Sequence, residues 1–130
     1  MQFVSVLLVD DNPDFLKLTA EFLRRYDDIH IVGCANGGKR GVVLAQELKP
    51  DVVVIDLDMP DLAGLQAMPI LRHQLPGTGI IGLTVFDSRY YYNGALSAGA
   101  DAFVSKGELD KNLAVVIRRL ADIRKRRPVS

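Results

Sequence analysis

The chain has one cysteine, Cys34. A lone thiol excludes an internal disulfide and a cysteine-built metal cluster. Its place in an apolar run marks it as a buried small hydrophobe. Net charge is missing as well: 16 Lys and Arg balance 16 Asp and Glu, so the chain as a whole does not read as a nucleic-acid binder. No apolar run approaches the ~20 residues that a membrane span requires. The opening Met1-Gln2-Phe3-Val4-Ser5 lacks the basic region and apolar core of a secretory signal. No membrane partner is expected, and the cytoplasm is the expected compartment. Repeats, low-complexity segments and internal linkers are absent too, and 130 residues fit one domain.

What is present is a regular alternation. Val4 to Val9 reads as a strand, and Asp10-Asp11-Asn12-Pro13 follows it. Asp11 or Asn12 can cap a helix that Pro13 opens and that Phe15, Leu18 and Phe22 carry to about Arg25. Ile29 to Cys34 is a second strand, and a helix from about Lys39 to Leu48 is closed by Pro50. Val52 to Ile55, four β-branched residues in a row, read as a strand buried on both faces. Leu62, Leu65, Met68 and Leu71 outline a third helix, with a kink or late start expected at Pro69. Ile80 to Thr84 is a fourth strand, Ser88 to Ala98 a fourth helix, and Ala102 to Val104 a short fifth strand. A last helix runs from Glu108 to about Lys125. Five strands alternating with five helices predict a parallel sheet covered on both faces, a three-layer α/β sandwich.

Chemistry is expected at the carboxyl ends of such strands. The first strand runs into Asp10-Asp11 and the third into Asp56. Converging carboxylates ~4 Å apart repel by about 4 kcal/mol per pair at an effective dielectric of ~20. A cation among them removes that cost, and hard oxygen ligands with open positions suit Mg²⁺. The fourth strand ends at Thr84, a hydroxyl able to donate to a phosphoryl oxygen. The fifth is followed by Ser105-Lys106, whose ammonium can balance anions as a point charge.

Asp10-Asp11, Asp56, Thr84, Phe103 and Lys106 together resemble the receiver domain of bacterial two-component response regulators. The phrases around them fit: Val-Leu-Leu-Val-Asp-Asp-Asn at 6–12, Asp-Leu-Asp-Met-Pro-Asp-Leu-Ala-Gly at 56–64, and Ala-Gly-Ala-Asp-Ala-Phe-Val-Ser-Lys at 98–106. The resemblance covers essentially the whole chain. It implies a flavodoxin-like sandwich with strand order 2-1-3-4-5, a receiver domain over 1–124, and a basic tail or linker start over 125–130. It implies a phosphoacceptor signalling domain rather than an enzyme, with Asp56 taking a phosphoryl group from a sensor histidine kinase. Asp10, Asp11, Asp56 and the backbone carbonyl of Asp58 would hold Mg²⁺, Asp10 through water, with Mn²⁺ able to substitute. Thr84 and Lys106 would bond the phosphoryl group. Phe103 would rotate inward and recast the face formed by the fourth helix, fifth strand and last helix.

Some residues depart from the usual pattern. Gly107 follows Lys106 where proline is common, so a mobile loop is expected. Val85 follows Thr84 where a smaller residue is usual, and Asp58 adds a fourth acid. Tyr90-Tyr91-Tyr92 offers a contact patch or core packing. Arg118, Arg119, Arg124, Lys125, Arg126 and Arg127, opposed only by Asp122, read as a solvated helix end rather than a phosphate-binding arm. Asp56-Leu57-Asp58 also fits the start of a haloacid-dehalogenase-like phosphatase, but Pro60 stands where those need Thr or Val, and Asp10-Asp11 would have no role. The glycines of Gly77-Thr78-Gly79-Ile80-Ile81-Gly82 enter a strand rather than leave one for a helix, so no dinucleotide cradle forms. The stronger rival is a receiver-like dimerisation or docking module that works without phosphorylation. The output is open between a stand-alone receiver and one domain of a longer transcriptional regulator. In the second case a homodimer and a helix-turn-helix DNA-binding domain beyond this chain are the expected partners.

Overall fold

In the computed structural model of the protein, residues 3–57, 64–84 and 99–126 are described. Among them run β1 (Val4–Val9), α1 (Pro13–Leu23), β2 (Ile29–Ala35), α2 (Gly38–Leu48), β3 (Val52–Asp56), α3 (Gly64–Gln74), β4 (Gly79–Thr84), β5 (Ala102–Ser105) and α4 (Ala114–Arg126). The strands form one sheet in the order β2-β1-β3-β4-β5, and each neighbouring pair is parallel. The helix expected over Ser88–Ala98 lies outside the described residues.

Sequence alternation builds two cores, one on each side of the sheet. Val6, Leu8, Val54, Ile81 and Leu83 face Ala20 and Leu23 of α1 and Ile117 and Ala121 of α4. Leu7, Val9, Val53, Ile55 and Ile80 face Ala45 of α2 and Ala67, Met68 and Leu71 of α3. β3 and β4 are buried along their whole length, as central strands covered on both faces must be.

One expectation needs correction. Cys34 is exposed, not buried. β2 is an edge strand, and its register against β1 shifts between Val6 and Leu7. Ile29 and Ile31 therefore sit beside Val4 and Val6, whereas Gly33 and Ala35 sit beside Leu7 and Val9 on the other face. The extra residue in β2 swaps the inward parity, and Cys34 opposes Leu8 at an edge that little covers. α3 runs from Gly64 to Gln74 with Pro69 inside it. A proline inside a helix costs about 3 kcal/mol. Burying Met68 and Leu71 on that helix, each nearly inaccessible, returns about 1.5–3 kcal/mol apiece, so packing outweighs the lost hydrogen bond.

The last helix opens irregularly. Lys106–Glu108 forms a 3₁₀ turn and Leu109–Leu113 a π turn before α4 begins. At the opposite edge of the sheet, Arg72 of α3 acts as a clamp. Its Nη1 donates to the carbonyls of Pro76 and Thr78 at 3.1 and 2.9 Å, and its Nε and Nη2 to that of Gly99 at 3.2 and 2.8 Å. Nη2 also pairs with Asp101, whose carboxylate accepts the Ile80 N–H at 2.8 Å. The amino ends of β4 and β5 are thereby tied to α3. Arg72→Met keeps an apolar stem and removes every donor, leaving several carbonyls and a carboxylate short of partners. A loss of about 2–4 kcal/mol is expected, read as a lower urea midpoint with an unchanged m-value.

Candidate functional site

The carboxyl edge of the sheet gathers the acids. Asp10 follows β1 directly, and its N–H donates to Ala35 O at 3.0 Å, which keeps the backbone in line with the sheet. Val9 lies beside Ile55 in the β1–β3 register, so Asp10 and Asp56 leave neighbouring strands side by side. Asp10, Asp11 and Asp56 each present a carboxylate oxygen, and those oxygens all lie within 4.8 Å of one another. Asp10 and Asp56 are buried, at 3% and 2% exposure, while Asp11 stands at the open side.

A local hydrogen-bond chain orients the first acid. Asp10 Oδ1 accepts the Asn12 N–H at 2.9 Å. Asn12 in turn caps α1, its Oδ1 accepting from Asp14 N and Phe15 N at 3.0 and 3.1 Å. Asp10 Oδ2 is sealed from solvent and accepts no hydrogen bond from the described residues. Lys106, one residue past β5, brings its Nζ to 3.1 Å from Asp56 Oδ2 and 3.8 Å from Asp10 Oδ2. The same Nζ lies 4.5 Å from the centre of the Phe15 ring.

Thr84 is the buried last residue of β4 and pairs with Ser105, while Asp56 pairs with Leu83 just before it. Phe103 pairs with Gly82. Alternation thus sets Phe103 and Thr84 on the same face of the sheet, where half-buried Phe103 packs against the core shared with α2 and α3. The Asp58 carbonyl, Val85 and Tyr90-Tyr91-Tyr92 lie outside the described residues. Gly107 N donates to Ser105 Oγ at 3.3 Å, which closes the turn after Lys106. Sequence reasoning used Phe15 only for its helical spacing and missed its place beside Lys106. The available signal was its position on the first turn of the helix that opens beside Asp10-Asp11.

The donor set fits a hard divalent cation. Every ligand on offer is a carboxylate oxygen, one buried oxygen lacks a partner, and the exposed acid leaves room for water. The electrostatics agree. The carboxyl of Asp10 is pushed up from 3.8 to about 6, chiefly because burial disfavours its charged form. The Asn12 N–H opposes that shift, the Asp56 charge adds to it, and Lys106 opposes it.

Comparison with known proteins assigns the class. Residues 6–118 match the family model described as the response regulator receiver domain, and the chain belongs to that family. Receiver domains are signalling domains of two-component systems rather than conventional enzymes. The chain is similar to the response regulator protein VraR of Staphylococcus aureus, 33% identical over 116 residues, covering 89% of this chain and 56% of that protein. It is similar also to the transcriptional regulatory protein MctR of Rhizobium johnstonii, 29% identical over 118 residues, covering 91% of this chain and 55% of that one. It therefore spans about half the length of these curated relatives. Among solved structures, the response regulator domain of Thermotoga maritima CheB superposes with a TM-score of 0.86 at 26% identity, over 93% of this chain and 98% of that one. No helix among the described residues is long and apolar enough to cross a membrane.

The raised pKa of Asp10 sets a pH dependence. Its folded value lies above its unfolded value, so the metal-free fold holds the extra proton. The stability this contributes is full below about pH 4 and is lost as pH rises through about 6. Asp10→Asn removes that loss and should stabilise the metal-free protein at about pH 7.5 by ~1–3 kcal/mol. Thermal melts with and without MgCl₂ check this: Mg²⁺ should raise the native Tm markedly and the Asp10→Asn Tm much less.

Proposed function

We propose that Asp56 accepts a phosphoryl group from the phosphohistidine of a sensor histidine kinase in a Mg²⁺-dependent reaction, and that the modified domain switches the output of a longer regulator. One observation carries this reading: Asp56 is buried at a strand end, 3.1 Å from the Lys106 ammonium and within 4.8 Å of two further carboxylates. A set of like charges this dense costs stability on its own. It suits a site built to hold a cation and a phosphoryl group together.

Asp11 and Asp56 would hold the ion directly, with the Asp58 carbonyl, and Asp10 through water. Mn²⁺ would serve in its place. The bound ion supplies neutralisation of the phosphoryl oxygens. An Asp56 carboxylate oxygen attacks phosphorus in line with the P–N bond. The P–O bond forms as the P–N bond breaks, and the bonding pair returns to the imidazole nitrogen that leaves. Lys106, already beside that carboxylate, turns to a phosphoryl oxygen and takes up its charge. The Thr84 hydroxyl donates to another. Its movement vacates space on the face it shares with Phe103, and the aromatic ring turns inward. The result is a population shift between two packings, driven by one covalent change.

For the output, the family and the relatives support a cytoplasmic regulator of transcription. Its further length would include a helix-turn-helix domain, and the surface reshaped by Phe103 would control that domain or a homodimer. Incubation with acetyl phosphate and MgCl₂ tests the core of the reading. Intact-mass spectrometry should show the gain of one phosphoryl group, released by hydroxylamine as an acyl phosphate is, and absent from Asp56→Asn or after chelation. No adduct on the native chain would overturn the proposal and leave a phosphorylation-independent docking module.

A further inference from the structure

We propose that Phe15 is a positioning residue for Lys106: the face of its ring holds the ammonium over Asp56 and Asp10, and so sets how fast Asp56 takes a phosphoryl group. This inference rests on the phosphoacceptor reading of Asp56 and adds a residue to it.

An ammonium has three donors and no acceptor. Lys106 gives one to Asp56 Oδ2 at 3.1 Å. Asp10 Oδ2, at 3.8 Å, lies beyond hydrogen-bond reach and attracts by charge alone. The Phe15 ring, its centre 4.5 Å from Nζ, occupies another side. An aromatic face is electronegative, so it attracts a cation, and it does so most strongly where water is excluded. Only 12% of the Lys106 side chain is exposed. The ring therefore holds the ammonium without offering a competing acceptor. A phosphoryl oxygen arriving at Asp56 would meet a cation already in place and already dry.

The backbone near Lys106 does little to fix it. Gly107 follows, with only Ser105 Oγ within 4 Å of where a Cβ would stand. One long hydrogen bond, Gly107 N to Ser105 Oγ at 3.3 Å, closes the turn, and a π turn comes next. A lysine stem has four rotatable carbons and much entropy to lose, so its far end needs an anchor. Phe15 is itself well held. Its N–H donates to Asn12 Oδ1 at 3.1 Å, its carbonyl accepts Thr19 Oγ1 at 2.9 Å, and its ring packs against the core under α1. The contacts close a circuit: Asp10 orders Asn12, Asn12 orders Phe15, Phe15 holds Lys106, and Lys106 faces Asp10.

Two measurements on native, Phe15→Leu, Phe15→Met and Phe15→Tyr proteins test this, with thermal melts to confirm folding. In the metal-free proteins, the Lys106 Hε NMR signals should show an upfield ring-current shift in native and Phe15→Tyr, lost in Phe15→Leu and Phe15→Met. Initial rates of acetyl phosphate labelling should fall about tenfold in the Leu and Met variants and stay within about twofold in the Tyr variant. Core packing alone would treat Leu, Met and Tyr by size, not by the presence of a ring. Native-like rates in Phe15→Leu, equal slowing in Phe15→Tyr, or no ring-current shift in the native protein would each overturn the inference. If the native chain takes no phosphoryl group, the reading of Asp56 fails and the rate claim with it. The NMR shift still decides whether Phe15 holds Lys106.

Discussion

The molecule is organised around a repulsion. Three carboxylates from the ends of β1 and β3 present oxygens within 4.8 Å of one another, and like charges that close oppose folding. Lys106 stands 3.1 and 3.8 Å from two of them and attracts both. One cation thus offsets part of the mutual repulsion yet leaves the site with excess negative charge. The buried Asp10 absorbs part of that excess by holding its proton to about pH 6. A site in that condition is stable enough to fold and still short of positive charge, which is the condition a metal-binding phosphoacceptor needs.

The fold places that stress where it does least harm. Arg72, Asp101 and the carbonyls of Pro76, Thr78 and Gly99 bind the amino edge of the sheet. Ser5 and Asp51 exchange two hydrogen bonds of 2.9 Å at the same edge. The polar staples therefore gather at one end of the strands and the strained acids at the other, with the buried length of β3 and β4 between them. The carboxyl edge is left with a buried oxygen, Asp10 Oδ2, that accepts no hydrogen bond from the described residues.

Much of this was legible in the chain. Val52 to Ile55 announced a central strand because only a strand covered on both faces tolerates four β-branched residues in a row, and Asp56 at its end announced the site. The parallel sheet followed from alternation, and its order from the family resemblance. What failed to show was anything set by tertiary register. The parity swap in β2 that exposes Cys34 arises from how β1 and β2 pair, and nothing local to Ile29–Ala35 encodes it. Phe15 escaped for a related reason. A helical stripe predicts that a ring turns inward, not that a lysine from the far end of the chain will lie across it.

Short β5 ties the charge of the site to its packing. Four residues carry both Phe103, half-buried against the core shared with α2 and α3, and the approach to Lys106. Among the described residues β5 pairs with β4 alone, and that pairing sets Ser105 beside Thr84 and Phe103 beside Gly82. An edge strand of four residues has few ladder hydrogen bonds to resist a shift. Under the proposed reaction, a pull on Lys106 from one side and on Thr84 from the other acts on adjacent positions of this pair of strands. Gly82 presents no side chain toward Phe103, and the space beside it is filled instead by Met68 and the flexible ends of Leu57. An unbranched thioether and a leucine tip adapt at little cost. The part of the core beside Gly82 and Phe103 therefore includes groups that can yield, whereas β3, between β1 and β4, is built of four β-branched residues in a row.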